Sequence, residues 1–163
     1  MDRLILLRHG KAEADAPSGR DFDRALTERG RRDAALVARS LAEAGLSPDL
    51  VLVSPAARAA QTWDAMAAIF PGARVEQAPE LYEISSGEIL ALARSEGAGV
   101  GTVMVVGHNP GLGQLAAWLA HESPAGEAGG RIARGFPTAG AAVIAFSPPA
   151  FDLFTPKTLG GGA

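Results

Sequence analysis

Runs of consecutive apolar residues punctuate this chain at Leu4–Leu7, Leu50–Val53, Thr102–Val106 and Ala141–Phe146. Between them, apolar residues recur at helical spacing. A strand that is apolar at successive positions has both faces covered, as in a parallel sheet with helices on either side. Strands alternating with helices predict an α/β three-layer sandwich, mostly parallel, with right-handed crossovers. The late strands have no helices between them, so the pattern predicts antiparallel additions at an edge.

The helical stretches carry their own punctuation. Thr27 is placed to cap a helix whose buried stripe is Ala34, Val37, Ala38, Leu41 and Ala42, with Gly45 at its end. Ser54-Pro55 predicts an N-cap followed by a first-position proline, opening a helix buried through Ala59, Trp63, Met66, Ala67 and Phe70. Arg74–Gln77 reads as a short strand and Gly87–Ser95 as a helix. Leu112, Leu115, Ala116 and Leu119 mark another helix. Residues 122–135, rich in Gly, Pro and Ala, read as a loop. The expected organisation is a single domain over residues 1–159 and a flexible Gly-rich tail over 160–163.

Composition narrows the partners. The 163 residues are 47% hydrophobic and 20% charged with a formal charge of -3, which suits a soluble domain and argues against general nucleic-acid binding. The absence of cysteine removes disulfides, thiolate metal sites and thiol nucleophiles. The apolar run after Met1-Asp2-Arg3 is too short for a secretory leader, and nothing reaches transmembrane length. A cytoplasmic protein with no membrane partner is expected.

The chemistry gathers at three predicted strand ends. The first closes on Arg8-His9-Gly10, the second on Ser54-Pro55 with Arg58 one turn later, and a third on Gly107-His108-Asn109-Pro110-Gly111. Ligands of open parallel sheets bind beyond the carboxyl ends of the strands. Parallel strands therefore bring Arg8, His9, Arg58 and His108 to one rim, where two helix starts add N–H groups. The arginine fork matches phosphate oxygens.

Leu6-Leu7-Arg8-His9-Gly10-Lys11-Ala12 resembles the signature of the histidine phosphatase superfamily, with its phosphoglycerate-mutase-like fold. Leu26-Thr27-Glu28-Arg29-Gly30, Ser54–Thr62 and Val106–Pro110 follow in the same order and spacing, and the small size is similar to SixA-type phosphohistidine phosphatases. The resemblance spans about residues 3–146. It implies that His9 takes the phosphoryl group while Arg8, Arg58 and His108 bind its oxygens, with no metal or cofactor. A neutral His9 then needs a fixed acceptor for its other nitrogen, such as a backbone carbonyl. The implied partner is a phosphohistidine-bearing signalling or phosphocarrier protein; a small phosphate ester is the alternative substrate.

One branch of the superfamily places an aspartate after the second histidine, where this chain has Asn109. The other uses a glutamate after the third strand, and Glu83 is preferred here over Glu80. A carboxyl donating near neutral pH needs burial to raise its pKa. Because the P–N bond of phosphohistidine breaks more readily than an ester, a weak acid signature favours a phosphoramidate substrate. Asn109, Arg24 and Thr62 are further substrate-binding candidates. Arg20 reads as solvated loop, Arg29, Arg31 and Arg32 as an exposed helix face, and His121 as a helix-end charge.

The same residues fit other classes less well. Gly111-Leu112-Gly113 after a strong strand resembles a dinucleotide-binding turn, but His108-Asn109-Pro110 intervenes and no acidic strand end follows; Gly111 is read as turn geometry and Gly113 as close packing. Three histidines without H-E-x-x-H spacing make a poor metal hydrolase. A catalytically silent phosphate-binding domain would share the same pocket. A mutase needs a larger capping insertion than residues 122–134 offer.

Overall fold

The computed structural model describes residues 1–161. Six strands form one mixed sheet: β1 (Arg3–Arg8), β2 (Leu50–Val53), β3 (Arg74–Gln77), β4 (Thr102–Gly107), β5 (Ala141–Phe146) and β6 (Pro149–Phe154), in the order β3-β2-β4-β1-β5-β6. The first four run parallel, with Leu7 opposite Val106 and Val53 beside the same Val106. β5 joins β1 antiparallel, Leu7 facing Ala141, and β6 pairs back on β5, with Ala141 facing Phe154. The antiparallel edge is thus β5–β6.

Alternate residues of each strand feed two separate cores. Leu4, Leu6, Leu50, Leu52, Val103 and Val105 point to one side, and α3 (Ser86–Glu96), α4 (Gly111–His121) and α5 (Gly126–Ala133) cover them. Ile5, Leu7, Val51, Val53, Met104 and Val106 point to the other, under α1 (Glu28–Glu43) and α2 (Ala57–Met66). Thr27 caps α1 by accepting from Gly30 N–H at 3.0 Å, and Gly45 follows its end at φ 73°. This is the three-layer α/β/α arrangement the apolar runs predict.

Two local expectations are corrected. Residues 122–135 are not a loop throughout, because α5 occupies their centre. Its glycines disfavour a helix, but burial of Ala128 and Ile132 against the sheet-covering core outweighs that preference. Ser54 does not cap α2, whose N-cap is Ala56 with no side-chain hydrogen bond. Of the predicted glycine tail, Gly160 closes a 3-10 turn over Lys157–Leu159 at φ 87°, and Gly161 N–H donates to Pro156 carbonyl at 2.7 Å. The remainder of that tail lies outside the described residues.

Candidate active site

The carboxyl ends of β1 and β4 lie side by side, so the residues that follow them meet. His9 N–H donates to Gly107 carbonyl at 3.1 Å, and the two imidazoles stand 5.2 Å apart between ring centres. Arg58, from the first turn of α2, reaches in beside them. A cavity of about 250 Å³ is lined by Arg8, His9, Arg24, Arg58, His108 and Asn109, together with Lys11, Ala12 and Thr138. The rim therefore gathers the two histidines and two arginines of the three strand ends.

Each ring of this site has a defined partner. His9 Nδ1 lies 2.8 Å from Gly10 carbonyl, an acceptor only, so Nδ1 carries the proton and the lone pair is on Nε2. Arg58 Nε–H donates to that Nε2 at 3.3 Å. Burial, followed by the positive charge of Arg58, pushes the His9 pKa down to about 4, against the pull of the Gly10 carbonyl. His108 is lowered to about 3, again chiefly by burial and then by His9 and Arg58. Both rings are neutral at pH 7.

Ser54, fully buried, explains how His108 is oriented. Its Oγ accepts from Ala56 N–H at 3.3 Å and lies 2.7 Å from His108 Nε2. When the hydroxyl donates to Nε2, the ring proton sits on Nδ1, which is buried without a hydrogen-bond partner among the described residues. The Ser-Pro pair thus spends its hydroxyl on a histidine rather than on a helix end.

The cations are held from behind. Arg8 donates from one terminal nitrogen to Phe136 carbonyl at 3.0 Å, while its buried Nε has no partner; burial and nearby Arg58 lower its pKa. Arg58, 6% exposed, donates to Asp21 carbonyl at 2.9 Å and to Asp21 Oδ2 at 3.1 Å. The same carboxylate accepts from Tyr82 hydroxyl at 2.7 Å and from Arg24 Nε at 2.9 Å, bonds that hold it well below the ordinary carboxylate range. Arg24 also donates to Glu13 carbonyl at 2.8 Å.

Thr62 lies one helical turn beyond Arg58 and is fully buried. Its Oγ1 accepts from Gly10 N–H at 2.9 Å and donates to Arg58 carbonyl at 2.6 Å. It touches the backbone that carries His9 and does not line the cavity. Gly10 itself is needed for close approach: a Cβ there would come within 2.7 Å of Gly30 carbonyl. On the far side, Ala139, at φ 57°, donates its N–H to His9 carbonyl at 3.0 Å.

Asn109 borders the cavity, but both ends of its amide are engaged. Nδ2 donates to Phe136 carbonyl and Oδ1 accepts from Gly113 N–H, each at 3.0 Å. Leu112 and Gln114 N–H groups are likewise taken, by His108 and Pro110 carbonyls. The start of α4 therefore does not offer the run of free N–H groups expected of it. Gly111 serves close packing rather than a turn, since a Cβ would meet Ile84 carbonyl at 2.8 Å; at Gly113 it would meet Asn109 Oδ1 at 3.0 Å. Neither glycine forms a pyrophosphate cradle.

Glu83 lines an adjoining cavity of about 430 Å³ that shares Arg58, His108 and Asn109 with the first. It is exposed, contrary to the burial expected of a proton donor. Glu80 borders neither cavity. Arg20 is exposed, its guanidinium 5.8 Å from the Phe22 ring centre, and Arg31 and Arg32 are exposed on α1. Lys11 and Asp21 join the site beyond the residues the three strand ends point to. Lys11 had a signal in its position two residues after His9; Asp21 sits in an aperiodic polar loop and had none.

Several known proteins are similar to this chain. An uncharacterized chloroplast protein of Arabidopsis thaliana is 37% identical over 131 residues, covering 74% of this chain but only 60% of its own length. A Mycobacterium tuberculosis protein is 37% identical over 140 residues, 85% of each chain. The SixA structure from Agrobacterium tumefaciens superposes with a TM-score of 0.84 at 36% identity, over 95% of this chain and 99% of that one. The protein histidine phosphatase SixA complexed with tungstate gives 0.77 at 29% identity, over 96% and 99%. The family model for branch 1 of the histidine phosphatase superfamily matches residues 4–99, which hold Arg8, His9 and Arg58 and make up more than half of the sequence; the chain belongs to that superfamily.

Proposed function

We propose that this protein is a metal-independent phosphohydrolase that takes a phosphoryl group onto His9 Nε2 and passes it to water, with protein phosphohistidine as its substrate class. One observation carries the reading. The Gly10 carbonyl fixes the proton on His9 Nδ1, which leaves a neutral nucleophile at Nε2 beside Arg58.

In the first step Nε2 attacks phosphorus in line, and the bond to the leaving nitrogen or oxygen breaks. Arg58 Nε–H transfers its hydrogen bond from Nε2 to a phosphoryl oxygen as the lone pair is consumed. Arg8 and His108, which line the same cavity, take the remaining equatorial oxygens. Fixed positive charge aimed at those oxygens stabilises a loose transition state without a metal. Water then attacks the phosphohistidine, and inorganic phosphate leaves with neutral His9 restored.

Substrate class is supported by two things. SixA proteins, described as phosphohistidine phosphatases, are the structural relatives of higher identity. An exposed Glu83 is a weak acid catalyst, and an imidazole leaving group depends least on one. The test is His9→Ala: it abolishes hydrolysis of a phosphohistidine protein and of para-nitrophenyl phosphate, whereas wild type traps an acid-labile, base-stable phosphoenzyme. Retained turnover in the variant removes His9 as nucleophile.

A further inference from the structure

A second hollow opens on the same rim as the site, on its β5–β6 side. The register makes this unavoidable. Arg8 N–H bonds Gly140 carbonyl, Leu7 faces Ala141, and Ala141 faces Phe154, so the residues leaving β6 emerge level with the residues leaving β1. The hollow, about 610 Å³, lies among Arg131, Arg134, Phe136, Thr155, Lys157 and Thr158. Only one short strand of backbone separates it from the anion cavity: Pro137 lines the one and Thr138 the other.

Its chemistry is one-sided. Three cations flank an apolar floor of Phe136 and Leu153, the hydroxyls of Thr155 and Thr158 bond each other at 3.0 Å, and no carboxylate is among the lining residues. A chain with a net charge of -3 would not gather such a cluster on balance of composition. Arg134 and Lys157 are exposed, with no ion pair to satisfy them among the described residues. Arg131 spends one terminal nitrogen on Leu153 carbonyl at 3.0 Å and has a buried, unpartnered Nε. A hollow of this size exceeds what a lone phosphate fills.

We infer that this hollow is a docking site for an acidic segment of the protein substrate, seated beside the phosphohistidine that enters the anion cavity. The inference rests on the phosphohistidine reading for its substrate but on different residues for its evidence. Charge complementarity commits it to carboxylates, which the exposed Arg134 and Lys157 would steer at range and bind at contact.

Two peptides test it, each with one phosphohistidine, one flanked by glutamates and the other by serines. Wild type should favour the acidic peptide in kcat/KM by about tenfold at low salt, with the preference shrinking as salt rises. Arg134→Glu with Lys157→Glu should erase the preference through KM while hydrolysis of phosphoramidate is unchanged. A preference that survives the double variant overturns the assignment, as does none in wild type. Binding of the unphosphorylated acidic peptide, read by fluorescence anisotropy, separates the two readings. If neither peptide is hydrolysed but the acidic one binds and the double variant does not bind it, the hollow stands and the substrate class falls. Citrate binding there while the peptide is ignored assigns the hollow to a small anion instead.

Discussion

Thr62→Val removes a hydroxyl while preserving shape, and its consequence follows from two bonds. The oxygen of Thr62 accepts from Gly10 N–H at 2.9 Å and donates to Arg58 carbonyl at 2.6 Å in a fully buried setting. Val leaves the Gly10 N–H without a partner, which costs about 2 kcal/mol. In a domain of this size that lowers Tm by about 4–8 °C. The catalytic effect is separable. Gly10 supplies the carbonyl that fixes the His9 proton, so loosening its N–H lets the His9 ring drift, and with His9 as the proposed nucleophile kcat should fall about tenfold or more. Thr62→Ser retains the oxygen and loses a methyl, at about 1 kcal/mol, and should restore kcat. Calorimetry with steady-state turnover of both variants decides the matter. Equal kcat in the valine and serine variants would refute the positioning role, whatever the melting temperatures.

Three further outcomes follow from the site. His9 and His108 titrate near 4 and 3 in the folded protein, so kcat/KM should have its acid limb near pH 4; a limb at 6.5 would contradict the neutral-ring geometry. Because unfolded histidine takes up a proton that folded His9 refuses, stability should be full above pH 6.5 and fall towards pH 4, by up to about 1.4 kcal/mol per pH unit from His9, as urea titration would register. Glu83→Gln should slow phosphate esters several-fold and phosphoramidate hardly at all, and equal slowing of both argues against Glu83 as proton donor.

What the sequence disclosed and what it concealed divide along physical lines. The strands were legible because burial on both faces forces unbroken apolar runs, and strand ends place Arg8, His9 and His108 whatever the loops do. Arg58 followed from helical spacing after β2. α5 was hidden because Gly126, Gly129 and Gly130 dilute the helical signal, leaving Ala128 and Ile132 to be recruited by packing. For Ser54 and Asn109 the sequence leaves the bonding open for a shared reason. Each polar side chain had several possible partners, and only the tertiary structure selects His108 for the one and Phe136 with Gly113 for the other. Asp21 binds Arg58 across a loop whose path no periodicity encodes.

The Phe136 carbonyl receives two donors, Arg8 from β1 and Asn109 from the start of α4. A single oxygen is therefore a common tether for the Arg8 guanidinium and for the helix behind the second imidazole. Its ring and the Pro137 beside it form a wall of the neighbouring hollow. Displacement of that carbonyl would reach both tethered groups at once.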